Sequence, residues 1–227
     1  MPAFNAIFFL KLAEIVWVDV LLSGDNALVI AMACRGLPER QRRAGLLLGG
    51  AAAIGLRLIF ALLLVQVLEL PYLKLVGGLA LLWIAIKLAT DESEHGDVHP
   101  VVSLWTVVRL IAVADAAMSF DNVLSIVAIA DENIWLIVLG LLASIPLIVS
   151  GSALLLRLID RFPVLIWAGS ALLGYVAVGI LLGDTVVLHL LAPWSSVAHG
   201  WLDTGLSVAG SVFCVLAAWI IVRRRIS

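Results

Sequence analysis

The sequence predicts an all-α fold: a polytopic transmembrane helical bundle of seven spans, built as two inverted three-helix repeats plus a C-terminal helix. Three observations carry that expectation. The first is composition. Of 227 residues, 63% are hydrophobic and 13% charged, and mean hydropathy is +1.17, whereas a soluble domain has roughly 25% charged residues. The second is the length of the apolar runs. A bilayer core of about 30 Å takes about 20 apolar residues per helix. On that measure the chain carries spans at about 9–33, 44–68, 71–89, 102–130, 133–157, 164–183 and 205–222. The third is a polar motif that occurs twice inside those runs.

Asp19-Val20-Leu21-Leu22-Ser23-Gly24-Asp25-Asn26 returns 96 residues later as Asp115-Ala116-Ala117-Met118-Ser119-Phe120-Asp121-Asn122. The Asp, Ser, Asp and Asn recur in register, and Leu28 matches Leu124 just downstream. An ionised carboxylate in a spanning helix costs roughly 2.5–3.5 kcal/mol on insertion scales. Serines alone would pass for hydrogen-bonding glue between helices. Four aspartates in matched placement instead suggest the walls of one polar site.

The first and fourth spans carry the motifs. The first lacks a charged leader region and a small-residue cleavage site and contains Glu14 and Asp19, so it is expected to be a retained helix and not a signal peptide. The second span opens on Gly45, Gly49, Gly50 and Ala51 to Ala53. The fifth carries Ser144, Ser150, Gly151 and Ser152 around Pro146. Small residues let helices approach closely in lipid, and Pro146 is expected to kink its helix. The third and sixth spans align, Pro71 on Pro163, Gly77 on Gly169, Leu81 on Leu173 and Trp83 on Tyr175. Each half thus has three spans. Three is odd, so the second half enters the membrane reversed, as in many secondary transporters, whose sites lie near the midplane between the repeats. The halves are 1–89 and 101–183, joined by a cytoplasmic linker at 90–100. An outer loop at 184–204 leads to the seventh helix and basic tail at 205–227.

Orientation follows from the basic residues. Arg35, Arg40, Arg42, Arg43, Lys87, Arg157, Arg161, Arg223, Arg224 and Arg225 are ten of the fourteen, all on one side under this threading. The opposite loops carry Glu69, Asp131, Glu132, Asp184 and Asp203. The positive-inside rule then places the N-terminus outside and the C-terminus in the cytoplasm. A net charge of −2 without a basic aromatic surface gives no footing for nucleic acid. Cys34 and Cys214 form neither a disulfide framework nor a CxxC metal site. The stretch from Asp91 to His99, with His95, is expected to be a solvated linker; loose capture of a divalent ion is the bolder alternative. Trp194 and Trp201, near His189 and His199, are expected to anchor at the interface.

In an ideal helix Asp19, Ser23 and Asn26 share a face, while Asp25 points about 120° away from Asp19. A break at Ser23-Gly24 would turn Asp25 inward and free backbone carbonyls, which non-helical backbone lining a cavity permits. Phe120 stands in the place of Gly24, so the two halves are expected to be unequal. Aspartates, asparagine amide oxygens and the hydroxyls of Ser23 and Ser119 make an all-oxygen donor set. Such a set fits hard divalent cations, Mn²⁺, Ca²⁺ or Mg²⁺, and lacks the N or S ligands that Zn²⁺ favours. Four carboxylates over-neutralise one divalent ion, so protons are expected to enter as metal leaves. Glu14, five residues before Asp19, is a further candidate ligand at the outer side. Arg57 lies mid-span and is expected to balance one motif aspartate. Arg109 is expected to extend to the cytoplasmic surface.

At these residues the chain resembles the TerC family of integral membrane proteins, in its short bacterial YjbE/YkoY-like form. The resemblance rests on SGDNALVIA (Ser23 to Ala31) and SFDNVLSIVA (Ser119 to Ala128), each with an Asp four residues before its Ser. Leu37-Pro38, Gly77-Gly78, Ile145-Pro146-Leu147 and Phe162-Pro163 add to it. It implies a transporter of the bacterial cytoplasmic membrane that exports Mn²⁺, with Asp19, Asp25, Asn26, Asp115, Asp121 and Asn122 at the ion site and no resident cofactor. A Ca²⁺ or broader divalent-cation/proton exchanger is the alternative. So is a membrane subunit supplying Mn²⁺ to secreted proteins beside the secretion machinery. A homo-oligomer fits any of these. An enzyme fits less well. An intramembrane aspartyl dyad shares a proton between two carboxylates, but no Tyr precedes a membrane Asp here, and SGDN and SFDN are not GxGD.

Overall fold

A computed structural model of the chain describes residues 6–63, 72–90, 103–131, 133–184, 186–187 and 201–226; the side chains of Phe120, Asp121, Trp201, Leu202, Arg225 and Ile226 are outside that set. The acidic, histidine-bearing stretch 91–99 and nearly all of the outer loop with His189, Trp194 and His199 lie outside the described residues. The elements are all helices: α1 Ala6–Leu22, α2 Gly24–Arg35, α3 Glu39–Leu62, α4 Leu73–Thr90, α5 Leu104–Ala130, α6 Ile134–Arg161, α7 Val164–Leu182 and α8 Trp201–Ile226. Five are long and apolar enough to cross a bilayer by themselves, and a sixth if the bent α5 counts as one span. The chain is a multi-pass membrane protein.

Its surface is dressed in large apolar side chains. Ile7, Phe9, Leu10, Trp17 and Leu21 of α1, Trp83 of α4, and Val212, Phe213, Leu216 and Trp219 of α8 are exposed, as a hydrocarbon solvent permits and water does not. Among the described residues three basic heads cover rings at helix ends: Lys87 lies 5.1 Å over Trp83, Arg161 5.7 Å over Phe162 and Arg223 5.1 Å over Trp219.

The first expected span is two helices. In a continuous helix the Asn26 N–H would donate to the Leu22 carbonyl, four residues back. Here Asn26 N–H donates to Asp25 Oδ1 at 2.8 Å, and the Leu22 carbonyl accepts from Asn122 Nδ2 at 3.0 Å. Both halves of that bond find new partners, and the Ser23 N–H turns to the Val20 carbonyl at 3.4 Å. The break falls at the expected place, but glycine is not its cause. Ser23 takes φ −102° and ψ 11°, which most residues can adopt, and Gly24 is already the first helical residue. The second motif sits inside α5 without interruption, yet the axis turns by 62° between Leu104–Ser119 and Asn122–Ala130. α6 continues through Pro146, whose carbonyl accepts the Ser150 hydroxyl at 2.6 Å.

Contacts fix the helix directions. Ile15 meets Gly140 and Asp19 meets Ser144, so α1 and α6 run the same way. Gly45 faces Leu104, Gly49 faces Ile111, and Arg57 holds Asp115, so α3 and α5 also run parallel. α4 and α7 are antiparallel. A Cβ on Gly78 would meet the Ala177 carbonyl at 2.8 Å, while Ser170 Oγ donates to the Ala85 carbonyl at 3.1 Å. Asp184, just past α7, accepts the Leu75 N–H at 3.0 Å and so caps the start of α4. α8 packs antiparallel on α7, where Gly174 and Gly210 bring the backbones together: a Cβ on either would lie 2.7 Å from the other's carbonyl oxygen. α1–α2, α3, α5 and α6 thus surround one interior, and α4, α7 and α8 form a wall beside it.

Candidate cation site

At the centre of α1, α3, α5 and α6 lies a guanidinium. Arg57 is 1% exposed, in a helix otherwise apolar at that depth. Its Nη1 donates to Asp19 Oδ1 at 2.5 Å and to Ser23 Oγ at 2.7 Å, its Nη2 to Asp115 Oδ1 at 2.8 Å, and its Nε to Ser119 Oγ at 3.0 Å. Both motifs therefore place their first Asp and their Ser around the same cation. Asp19 and Asp115 are 0% and 3% exposed, a depth at which an ionised group persists only when paired. The forked geometry of arginine suits two carboxylates at once, which a lysine could not match.

The two carboxylates are served differently. Asp19 Oδ1 also lies 3.4 Å from Ser23 Oγ, and its Oδ2 receives the Ser144 hydroxyl from α6. Asp115 Oδ2 is buried with no hydrogen-bond partner among the described residues. The asparagines differ too. Asn122 is tied to the Leu22 carbonyl, whereas Asn26, 2% exposed, has neither its amide nitrogen nor its oxygen paired among the described residues. Buried unpaired polar atoms are rare enough to call for an occupant or a change of state. Asp25 is half-buried at the start of α2, where its charge meets the positive end of the helix.

Comparison with known proteins fits this architecture. A family model described as the integral membrane protein TerC family matches residues 4–226. The chain belongs to the TerC family. It is 34% identical over 211 residues to the "Uncharacterized membrane protein YjbE" of Bacillus subtilis, covering 93% of this chain and 94% of that protein. It is 30% identical to YceF of the same organism over 73% of this chain and 68% of that one, and 32% identical to YkoY over 52% and 38%. No solved structure matches.

For this TerC protein, then, the structure brings Asp19, Ser23, Asp115 and Ser119 together around Arg57. Asn26 and Asn122 sit one turn further along their helices. Glu14 is not brought in: it is exposed, next in sequence to the buried Ile15 that faces Gly140. The side chain of Asp121 lies outside the described residues. Among the described residues no three His, Cys, Asp or Glu side chains converge as a ready metal cage. Arg57 balances two motif aspartates where the sequence suggested one. Ser144 was legible only as a small packing residue. Its signal is positional, since it lies four residues past Gly140 as Asp19 lies four past Ile15. Arg109 is exposed and takes no part.

Proposed function

We propose that this protein is a divalent-cation transporter of the bacterial cytoplasmic membrane that carries Mn²⁺ out of the cytoplasm. One observation carries the reading: matched aspartates of a repeated motif converge, inside an apolar bundle, on a seat already occupied by positive charge. Asp25, Asn26, Asp121 and Asn122 supply the remaining oxygens. Such a set suits Mn²⁺ or Ca²⁺ alike, and the family resemblance selects Mn²⁺.

The architecture we propose for this task has seven spans, counting α1 with α2, and two inverted halves, 1–89 and 101–183. The directions of α1, α3, α5 and α6 support it. So does α4 against α7: the shift that lays Pro71 on Pro163 converts the Gly78–Ala177 contact into the Ala85–Ser170 contact. Asp115 lies eleven residues past Leu104, about 16 Å along the axis and so near mid-bilayer. Arg35 and Arg42 gather on Asp160 at one end, at 3.3 and 2.7 Å, and Lys11 meets Asp131 at the other. This agrees with a cytoplasmic basic face, the N-terminus outside and the C-terminus inside.

The test uses a strain lacking its own Mn²⁺ exporters and carrying the wild type, Asp25→Asn or Asp121→Asn, with cell metals read by elemental analysis. The wild type is expected to lower manganese, and both variants to fail at equal membrane levels. A change in calcium alone would overturn the ion and keep the scaffold. No change in any metal would overturn transport.

A further inference from the structure

The core around Arg57 is sealed towards both ends of the bundle. Cys34, Leu37 and Ile111 are buried on the side of Arg35 and Arg42, and Ile15, Ile137 and Leu141 on the side of Lys11. An ion coming from either face of the membrane reaches the core only when one end parts. Each end is closed by an ionic contact between the two halves of the chain. At the inner end Arg35 Nε and Arg42 Nη1 share Asp160 of α6, at 3.3 and 2.7 Å. Arg42 also donates to the Leu37 and Arg35 carbonyls, both at 3.2 Å. One guanidinium thus ties the α2–α3 turn to itself and to α6. At the outer end Lys11 of α1 holds Asp131, just past α5. Side-chain exposure in these contacts runs from 19% to 73%, and an ion pair so placed biases an equilibrium by about fivefold or less. The core pairs are 0–2% exposed and are far costlier to break. The ends are therefore the parts that can open and close.

Resting on the transport reading above, we propose that Arg35 and Arg42 on Asp160 form the inner gate of the cargo path and Lys11 on Asp131 the outer gate, each worked by a half-helix that starts at the site. The repeat supplies the link. Asp131 follows Arg35 by the same 96 residues that separate the two motifs, so the gates use equivalent positions with opposite charge. Arg35 is the last residue of α2, and α2 begins at Gly24, beside Asp25 and Asn26. Asp131 caps the arm of α5 that begins at Asn122, beyond the 62° bend. The arms are about 16 and 12 Å long, and together they come close to the hydrocarbon thickness of about 30 Å. Each therefore reaches from the middle of the bundle to one end. Only Ser23 separates α2 from α1. A turn of about 10° there carries Arg35 about 3 Å on an arm of that length, which takes its contact with Asp160 beyond hydrogen-bonding distance. The same arm carries Asn26, whose amide is buried and unpaired among the described residues. An ion seated on that amide bears directly on the inner gate.

The experiment locks each gate in turn. Arg42→Cys/Asp160→Cys and Lys11→Cys/Asp131→Cys are made in the full chain and joined by a bifunctional thiol reagent that a reductant cleaves. The native Cys34 and Cys214 are both buried, and peptide masses show which thiols are joined. Mn²⁺ flux is followed in liposomes, and Mn²⁺ binding in detergent. Either link alone is expected to stop flux, and cleavage to restore it. Each locked form is expected still to bind Mn²⁺, because its other end opens; a damaged fold would lose both. The two pairs are independent tests, and the outer one alters more exposed residues, so it serves if the inner variant does not fold. Full cross-linking that leaves flux unchanged would make these contacts static and overturn the proposal, as would a loss of flux that cleavage does not reverse. A wild type that moves no divalent ion would instead overturn the transport reading, and the gates with it.

Discussion

The two copies of the motif began from the same polar residues and hold them in different states. The first is closed: Asp19 is bonded on both oxygens, and the helix beneath it is broken and held by Asn122. The second is open: Asp115 Oδ2 has no partner among the described residues, and its own helix bends without a break. The partners of the asparagines follow from this. Because α1 ends at Leu22, a carbonyl is available for Asn122. α5 is helical through its motif, so it offers Asn26 no equivalent acceptor. Both copies bond the arginine, and each keeps one unspent ligand among the described residues: Asn26 in the first and Asp115 Oδ2 in the second.

Substitutions should separate the two halves. The largest expected effect is from Asp19→Asn, which removes the better-bonded partner of a buried cation. Breaking a buried ion pair this way costs about 3–5 kcal/mol. Asp115→Asn is expected to cost less, because one of its oxygens contributes no bond. Thermal unfolding of the purified proteins in one detergent would compare them, and equal losses would erase the distinction between the halves. Next come the asparagines. Asn122→Ala strands the Leu22 carbonyl and should cost about 1–3 kcal/mol. Asn26→Leu breaks no bond and should leave the fold as stable as before, while Mn²⁺ efflux is lost. Loss of stability in both would show that Asn26 has a structural partner.

A subtler test concerns Ala53. The pairs Ile15–Gly140 and Ile111–Gly49 make Gly49 the counterpart of Gly140, and four residues on, Ala53 the counterpart of Ser144. Ala53→Ser is expected to offer Asp115 Oδ2 the hydroxyl that Asp19 already has, adding about 0.5–1.5 kcal/mol and slowing efflux. An unchanged unfolding temperature would put Ala53 out of reach of Asp115. The smallest effect is at Gly24. A Cβ there meets nothing within 4 Å, so Gly24→Ala should stabilise the protein by about 0.5–1 kcal/mol with the break intact. A large loss would restore glycine as the cause of the break.

Much of this was legible in the sequence, for physical reasons that also mark where it stopped. The helices were legible because apolar runs of spanning length permit little else in lipid. The motif was legible because four repeated aspartates stand out against that background. Arg57 was visible as an oddity, but its two partners come from helices 38 and 58 residues away, and only the direction of α3 against α5 places it between them. Ser144 and Asp184 were hidden for another reason. A serine among small residues, or an acid in a loop, looks the same whether it packs, faces water or caps, and only the neighbouring helix decides. Glu14 lies on an exposed face, which the sequence did not show, because spacing along a helix gives a residue's rotation and not which side of the helix is covered.

The arginine also bears on how the chain reaches its membrane. Asp19 and Arg57 lie on successive spans, α1 and α3. They can therefore pair as one hairpin leaves the insertion machinery, long before Asp115 is synthesised. The first acid of the core can thus be neutralised by a partner from the same hairpin. Asp115 then joins a guanidinium that already has one carboxylate, so the core is assembled in two steps, a local pairing first and a distant one second.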